Sequence, residues 1–122
     1  MGLESSWENP NHHVYLLRVD GELAGFALVV RLSTGDPPLY DIGQFFVLRK
    51  FRRKGVGKYV AFFLFDSFRG NWQVRQLLEN TPAQRFWQNI ISEYTNQDYT
   101  VAHEYVESAK IEMVVERFAN IV

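Results

Sequence analysis

The sequence predicts a mixed α/β domain whose sheet is mostly antiparallel, with elements in the order βββαβαββ. The chain has 122 residues, 47% of them hydrophobic, which suits one compact domain with a substantial core. Asp20-Gly21 separates two apolar runs, as in a tight hairpin. A strand, a helix and another strand then follow in succession, and this order implies parallel pairing between the two strands.

The first half of the chain predicts three strands and one helix. Residues 1–11 are polar and are predicted to be a loose segment ahead of a single domain over residues 12–122. The predicted strands cover residues 13–19, 22–32 and 39–48. A helix is predicted from about residue 55 to 69, and its middle, residues 59–65, is apolar nearly all round, so it should be covered on more than one side.

The second half predicts a strand, a helix and a final strand pair. The second helix begins with Thr81 as its N-cap and Pro82 at its first helical position, and it runs to about residue 94. The predicted strands cover residues 72–78, 99–106 and 111–118.

Composition excludes several classes of protein. The chain has no cysteine, so disulfide frameworks and thiolate nucleophiles are excluded. No apolar run approaches the roughly 18 residues that span a bilayer, and the N-terminus does not resemble a signal peptide. We therefore expect a cytoplasmic protein with no membrane partner. His12, His13 and His103 do not have the spacing of metal ligands, so no metal site is expected.

Basic residues are concentrated in one window. Six lie between Arg49 and Lys58 with no acidic residue among them, and the rest of the chain has 7 basic and 14 acidic residues. This asymmetry favours a local anion site over a nucleic-acid surface, so no nucleic-acid partner is expected. A solvated, charged loop is the alternative interpretation.

The same window connects a predicted strand to the start of a predicted helix. Unpaired N–H groups and the positive end of the helix dipole meet there, and Gly55 and Gly57 allow close backbone approach. Such a turn suits a phosphate or pyrophosphate. It is not a Walker A loop, because Tyr59 follows Lys58, and Val60 breaks the dinucleotide-binding fingerprint.

At these positions the chain resembles the GNAT N-acetyltransferase superfamily. Residues 52–57, Arg-Arg-Lys-Gly-Val-Gly, are similar to its Gln/Arg-x-x-Gly-x-Gly/Ala signature, and Val47-x-x-x-Phe51 has its spacing. Asn80-x-x-Ala83-x-x-Phe86-Trp87 is similar to the Asn-x-x-Ala-x-x-Phe-Tyr pattern of that family. The resemblance covers about residues 13–118.

The resemblance implies acetyl-CoA as cofactor and direct acetyl transfer to the primary amine of a small molecule, without a covalent enzyme intermediate. It also implies that the cofactor arm enters a gap between the third and fourth predicted strands. The implied cofactor-binding residues are Phe46, Val47, Arg52, Arg53, Lys54, Gly55, Val56, Gly57, Lys58 and Asn80.

The resemblance implies Asp41 as the catalytic base, because some family members keep a carboxylate at this place on the central strand. The alternative is a surface charge at a strand end. Trp87 stands where the family often has a tyrosine that acts as the general acid, and an indole N–H is a poor proton donor. Tyr59 and Tyr94 are the possible substitutes.

The chain also begins near the second strand of the family pattern, so it is expected to lack the usual N-terminal strand and two helices. The apolar surface that this would leave favours a homodimer. The alternative function is a weakly active or inactive CoA-binding assembly module of the same fold.

Overall fold

A mixed sheet of seven strands forms the centre of the computed structural model, which describes residues 2–6, 10–52 and 54–121. The strands are β1 (Gly2–Ser6), β2 (His12–Val19), β3 (Glu22–Ser33), β4 (Leu39–Val47), β5 (Asn71–Leu77), β6 (Thr100–Val106) and β7 (Ile111–Ala119). The helices are α1 (Val56–Ser67) and α2 (Thr81–Thr95), and a 3-10 turn covers Arg49–Phe51.

The order of the strands across the sheet is β1-β2-β3-β4-β5-β7-β6. Neighbouring strands are antiparallel, except that β4 and β5 are parallel. The predicted fold class is therefore confirmed, and the parallel pair lies where the strand-helix-strand order predicts it.

The N-terminal segment differs from the prediction. The sequence predicts a loose segment over residues 1–11, whereas Gly2–Ser6 forms β1 and pairs antiparallel with β2. This segment lacks the β-branched and aromatic residues that mark strands in a sequence. Its hydrogen-bonding partners come from β2, so the pairing depends on tertiary contacts. The sheet therefore has one more strand than predicted.

Both helices pack on the same face of the sheet. The Phe65 ring of α1 lies 4.9 Å from the Trp72 ring of β5, and the Trp87 ring of α2 lies 4.9 Å from that of Phe45 on β4. Side chains alternate along a strand, so Phe46 points to the opposite face of the sheet. That side chain is 41% exposed.

The second helix begins one residue earlier than predicted. Asn80 rather than Thr81 is the N-cap, and its side-chain oxygen accepts a hydrogen bond from the N–H of Ala83 at 3.2 Å. Asparagine and threonine both favour this position, so composition does not distinguish them. In the described ranges, neither helix is long and apolar enough to cross a lipid bilayer.

Candidate active site

A gap opens between the two parallel strands. β4 and β5 pair at three positions only, and the last of them joins Asp41 to Gln73. Beyond that point β4 continues to Val47 and β5 to Leu77 without pairing to each other. A register shift between Leu28 and Val29 of β3 marks a bulge in the pairing of β3 with β4. Bulges bend a strand, so this one accounts for the divergence of β4 from β5.

A groove of about 670 Å³ borders the open end of this gap, between the end of β4 and the first turns of α1 and α2, and its volume is typical of ligand sites. Its lining is mostly apolar, with one cation and one amide. The lining residues are Phe45, Phe46, Val47, Arg52, Gly57, Asn80, Pro82, Ala83, Phe86 and Trp87. Five of the predicted cofactor residues therefore meet here: Phe46, Val47, Arg52, Gly57 and Asn80.

The start of α1 borders the open end of the groove. Gly55 is the N-cap with φ of 74°, and neither a side-chain cap nor an acidic residue occupies the first turn. A Cβ added to Gly55 would have nothing within 4 Å. No described side chain caps the first-turn N–H groups, which favours an anion there.

The two glycines of the loop have different structural roles. Gly55 is required because a positive φ strains other residues. At Gly57, an added Cβ would lie 2.9 Å from Cζ of Phe86 on α2. Gly57 therefore permits close packing between the helices, a role that the motif alone does not reveal.

The basic residues of the window point in different directions. Arg52 donates from Nε to the Val47 carbonyl oxygen at 2.9 Å, beside the groove. Lys58 turns away and forms an ion pair with Glu93 at 2.5 Å. Lys54 is exposed and makes no ion pair with any described residue, whereas Arg53 lies outside the described residues.

Asp41 lies at the closed end of the gap, where the pairing of β4 and β5 stops. It is 1% exposed, so its interpretation as a surface charge is wrong. Its Oδ2 accepts a hydrogen bond from Arg75 at 2.6 Å, and its Oδ1 is buried without a hydrogen-bond partner in the described chain. Burial raises the pKa of Asp41, and the charge of Arg75 opposes that shift.

The sequence does not predict the role of Arg75. The residue lies 34 positions from Asp41, and only the register of the parallel strands brings the two together. Asp41 pairs with Gln73, and Arg75 lies two positions further along β5. The sequence indicates this neighbour only when the register of the two strands is known.

The tyrosines considered as proton donors lie outside the groove. The Tyr94 hydroxyl donates to Asp66 at 2.7 Å, and Tyr59 is 56% exposed on another face of α1. Trp87 does line the groove, but it is 6% exposed and packs in the core. Within the described ranges, no group of three His, Asp or Glu side chains is arranged to hold a metal ion.

A family model described as the acetyltransferase (GNAT) family matches residues 2–90. The chain belongs to the GNAT acetyltransferase family. The resemblance of residues 52–57 and 80–87 to that family is therefore confirmed. No curated protein sequence matches this GNAT chain significantly.

Solved structures share the GNAT fold. One is a protein assigned as a streptothricin acetyltransferase from Bacillus anthracis strain Ames in complex with acetyl coenzyme A. Its TM-score is 0.67 at 13% identity, covering 93% of this chain and 65% of that chain. A GNAT family acetyltransferase from Elizabethkingia anophelis with acetyl-CoA bound has a TM-score of 0.67 at 12% identity, covering 91% and 78%.

A spermidine N-acetyltransferase variant from Vibrio cholerae is also similar, with a TM-score of 0.65 at 8% identity, covering 92% of this chain and 68% of that chain. At such identities the likeness shows the fold. This GNAT chain spans about two-thirds of the length of the Bacillus anthracis protein.

Proposed function

We propose that the chain is an acetyl-CoA-dependent N-acetyltransferase that moves an acetyl group directly to the primary amine of a small molecule. The observation that carries this proposal is the gap between β4 and β5, which opens beside the uncapped start of α1 in a member of the GNAT family. Two similar structures contain acetyl-CoA, and a third is named for an amine acceptor, spermidine.

The residues at the open end fit a diphosphate-bearing cofactor. Uncapped N–H groups, open space at Gly55 and Lys54, which has no ion pair with a described residue, favour a phosphate there. We assign this role to the backbone amides of residues 52–58 together with the Arg52 and Lys54 side chains. Lys58 is included through its backbone only, because its side chain is paired with Glu93.

The edge of β4 beyond Asp41 fits the arm of the same cofactor. Phe46 and Val47 border the groove, and the described part of β5 offers no pairing partner for this edge. An amide-bearing ligand can pair with such an edge as an added strand does. The Val47 oxygen is engaged by Arg52, so we infer that Arg52 moves when that oxygen accepts a ligand N–H. Asn80 borders the thiol end in this proposal.

When bound, acetyl-CoA supplies the thioester from which the acetyl group is transferred. Asp41 is the proposed base that removes a proton from the acceptor ammonium. The proton goes to Oδ1, which has no partner among the described residues, while Arg75 donates a hydrogen bond to Oδ2. Burial raises the pKa of Asp41, and a carboxyl with a raised pKa is a stronger base. The described groove residues carry no hydroxyl, so water is the proposed donor to the departing thiol.

A second candidate function is a CoA-binding assembly module without activity. It is favoured by Trp87, which is buried against Phe45 where the family pattern has a tyrosine. Both candidates predict cofactor binding, and only the first predicts turnover.

The proposal also includes a cytoplasmic homodimer without nucleic-acid or membrane partners. The exposed rings of Phe26 and Phe46 on the sheet face opposite the helices favour an additional protein contact. The acidic excess outside the basic window disfavours nucleic acid.

A melting experiment with and without acetyl-CoA tests the cofactor. At about 100 times the dissociation constant, the ligand should add about 2.7 kcal/mol of stability. Gly55→Glu should abolish the shift, whereas Gly21→Glu should retain it. Gly21 is a matched control because it too has a positive φ and nothing within 4 Å of an added Cβ. An equal shift in both variants contradicts the assigned site.

Release of CoA thiol over a panel of small amines then tests turnover. We expect release above the hydrolysis blank for at least one primary amine. Cofactor binding with no release for any amine would favour the assembly module instead.

A further inference from the structure

The face of the sheet opposite the helices carries an exposed aromatic pair, Phe26 on β3 and Phe46 on β4. The two residues lie directly opposite each other, and their ring centres are 5.9 Å apart. Leu16 on β2 lies opposite Phe26 and is 37% exposed, so an apolar row crosses three neighbouring strands. Exposed apolar surface of this kind favours a ligand or partner that is itself apolar.

A bulge in β4 places the proposed base on the same face as the aromatic pair. Residues directly opposite each other in antiparallel strands share a face, and Val30 lies opposite Asp41 as Phe26 lies opposite Phe46. Val30 and Phe26 are four residues apart on β3, so they point to one face. Asp41 and Phe46 are five apart and still share that face, because Gly43 is the extra residue of the bulge.

Between Asp41 and the aromatic pair, this face of β3 and β4 carries no charge. The distance is about 13 Å, since four residues of β3 rise about 3.3 Å each. Leu28 and Gln44 lie opposite each other in the interval. Across the gap, the charged neighbour of Asp41 is the cation Arg75. One ammonium therefore finds a carboxylate at Asp41, whereas a second one further along β4 would lie over apolar side chains, which is unfavourable.

We propose that the acceptor is a primary amine with a long apolar tail that ends in an aromatic ring. Its ammonium lies at Asp41, and its ring lies against Phe26 and Phe46, in the offset or edge-to-face contact that aromatic rings prefer. This names the acceptor class of the proposed function and rests on it. Phe26 is then a specificity-determining residue that neither sequence motif includes.

Phe46 connects the acceptor position to the cofactor groove. Its side chain lines the groove, and Cζ of Arg52 lies 5.7 Å from the centre of its ring. The proposed function requires Arg52 to move when the cofactor arm binds at Val47. That movement would uncover one side of the Phe46 ring, so the acceptor should bind best to a chain that already holds the cofactor.

Calorimetry on the chain saturated with CoA tests the acceptor class, with 4-phenylbutylamine as the probe. CoA carries no acetyl group, so binding is measured apart from turnover. We expect 4-phenylbutylamine to bind at least about tenfold more tightly than butane-1,4-diamine. The diamine has the same four-carbon chain with a second ammonium in place of the ring. Equal affinities, or tighter binding of the diamine, overturn the proposal.

Phe26→Ala tests where the ring lies. It should weaken binding of 4-phenylbutylamine at least about tenfold and leave binding of benzylamine unchanged, because the shorter amine at Asp41 does not reach the aromatic pair. Phe46 is not substituted, since it also lines the cofactor groove. The matched control is Leu32→Ala on the same strand, because Leu32 is 47% exposed and lies on the other side of Asp41 from the rings.

Two outcomes of the variant experiment contradict the acceptor position. One is an equal loss of 4-phenylbutylamine binding in Phe26→Ala and Leu32→Ala. The other is a Phe26→Ala chain that changes its sedimentation but not its amine affinity, because a second copy of the chain would then be what covers the rings. The acetyl-CoA melting shift, measured on the same variants, shows that each one is folded and keeps its cofactor site.

Release of CoA thiol from acetyl-CoA separates this proposal from the proposed function. Turnover of amines without any preference for 4-phenylbutylamine overturns the acceptor class, while the transferase activity stands. Binding of 4-phenylbutylamine that depends on Phe26, without thiol release, supports the acceptor position and contradicts the transferase activity.

Discussion

The two ends of the gap between β4 and β5 are built from opposite kinds of chemistry. At the closed end, one carboxylate is almost completely buried and is held by one guanidinium, with Arg75 2.6 Å from Asp41. At the open end, a helix begins without a side-chain cap, and Lys54 is exposed and unpaired in the described chain. The closed end isolates a single titratable group from water, whereas the open end leaves charges and donors accessible.

The difference fits the role that we propose for each end. A buried carboxylate has its pKa raised because desolvation disfavours the charged form, and a base benefits from that shift. A diphosphate is large and highly charged, so its site needs donors that it can reach from solvent. Substitutions at the two ends should therefore separate catalysis from binding.

The largest effect is expected at the closed end. Asp41→Asn should lower kcat/KM for the acceptor amine by about 10²- to 10⁴-fold, because it removes the proposed base. Affinity for acetyl-CoA, measured by calorimetry, should stay unchanged because the open end is intact. Asp66→Asn is the control, a carboxylate outside the groove. A parallel loss of cofactor affinity would contradict the separation of the two ends.

The pH dependence of the wild-type rate sharpens the same assignment. A base works only when it is deprotonated, and burial raises the pKa of Asp41. On the acidic side, kcat/KM should therefore fall with an apparent pKa above 3.8, the ordinary pKa of an aspartate carboxyl. Asp41→Asn should remove that limb. A limb that persists unchanged in this variant would assign it to another group.

The next effect is expected where α1 packs on α2. Gly57→Val should destabilise the chain by about 1–3 kcal/mol, because even a Cβ would lie 2.9 Å from Phe86. Thermal melting measures the loss. Adding Phe86→Leu should recover part of it by making room. No recovery in the double variant would mean that a different contact limits residue 57.

A smaller effect is expected at the start of α2. Asn80→Ala should cost about 1 kcal/mol, because the N–H of Ala83 loses its acceptor. Asn80→Asp keeps an oxygen in that place and should retain most of the stability. Equal melting temperatures for the wild type and the alanine variant would contradict the cap.

The smallest effects distinguish two lysines of the basic window. Lys54→Ala should weaken acetyl-CoA binding several-fold at low salt, because exposed cations attract a phosphate. Lys58→Ala should leave that affinity unchanged and alter stability by at most about 1 kcal/mol, since it breaks an exposed ion pair with Glu93. Equal losses of affinity would place both lysines at the phosphate site.

The features that the sequence predicts correctly depend on neighbours along the chain. The hairpin at Asp20-Gly21, the helix after Gly55 and the motif of residues 52–57 are encoded in turn residues, hydrophobic spacing and contiguous cations. The family and the fold class follow from these local signals. Phe46, Val47 and Arg52, which are predicted to bind the cofactor, lie next to or within this motif, and the structure shows that they line the groove.

The features that the sequence does not predict depend on residues that are far apart in the chain. β1 forms on the edge of β2, the side chain of Lys58 turns to Glu93, and Gly57 accommodates Phe86. Each contact joins residues from different elements, so no local pattern reports it.

The sequence by itself thus determined the chemistry that is available: a basic, glycine-containing turn before a helix, and a carboxylate on the strand that precedes it. Only the tertiary structure decided which groups are buried, paired or exposed. β4 and β5 pair in parallel at three positions, and this register brings Arg75 to Asp41. Beyond the last of these positions the two strands separate. Burial and pairing result from packing between elements, and packing depends on residues that are far apart in the chain.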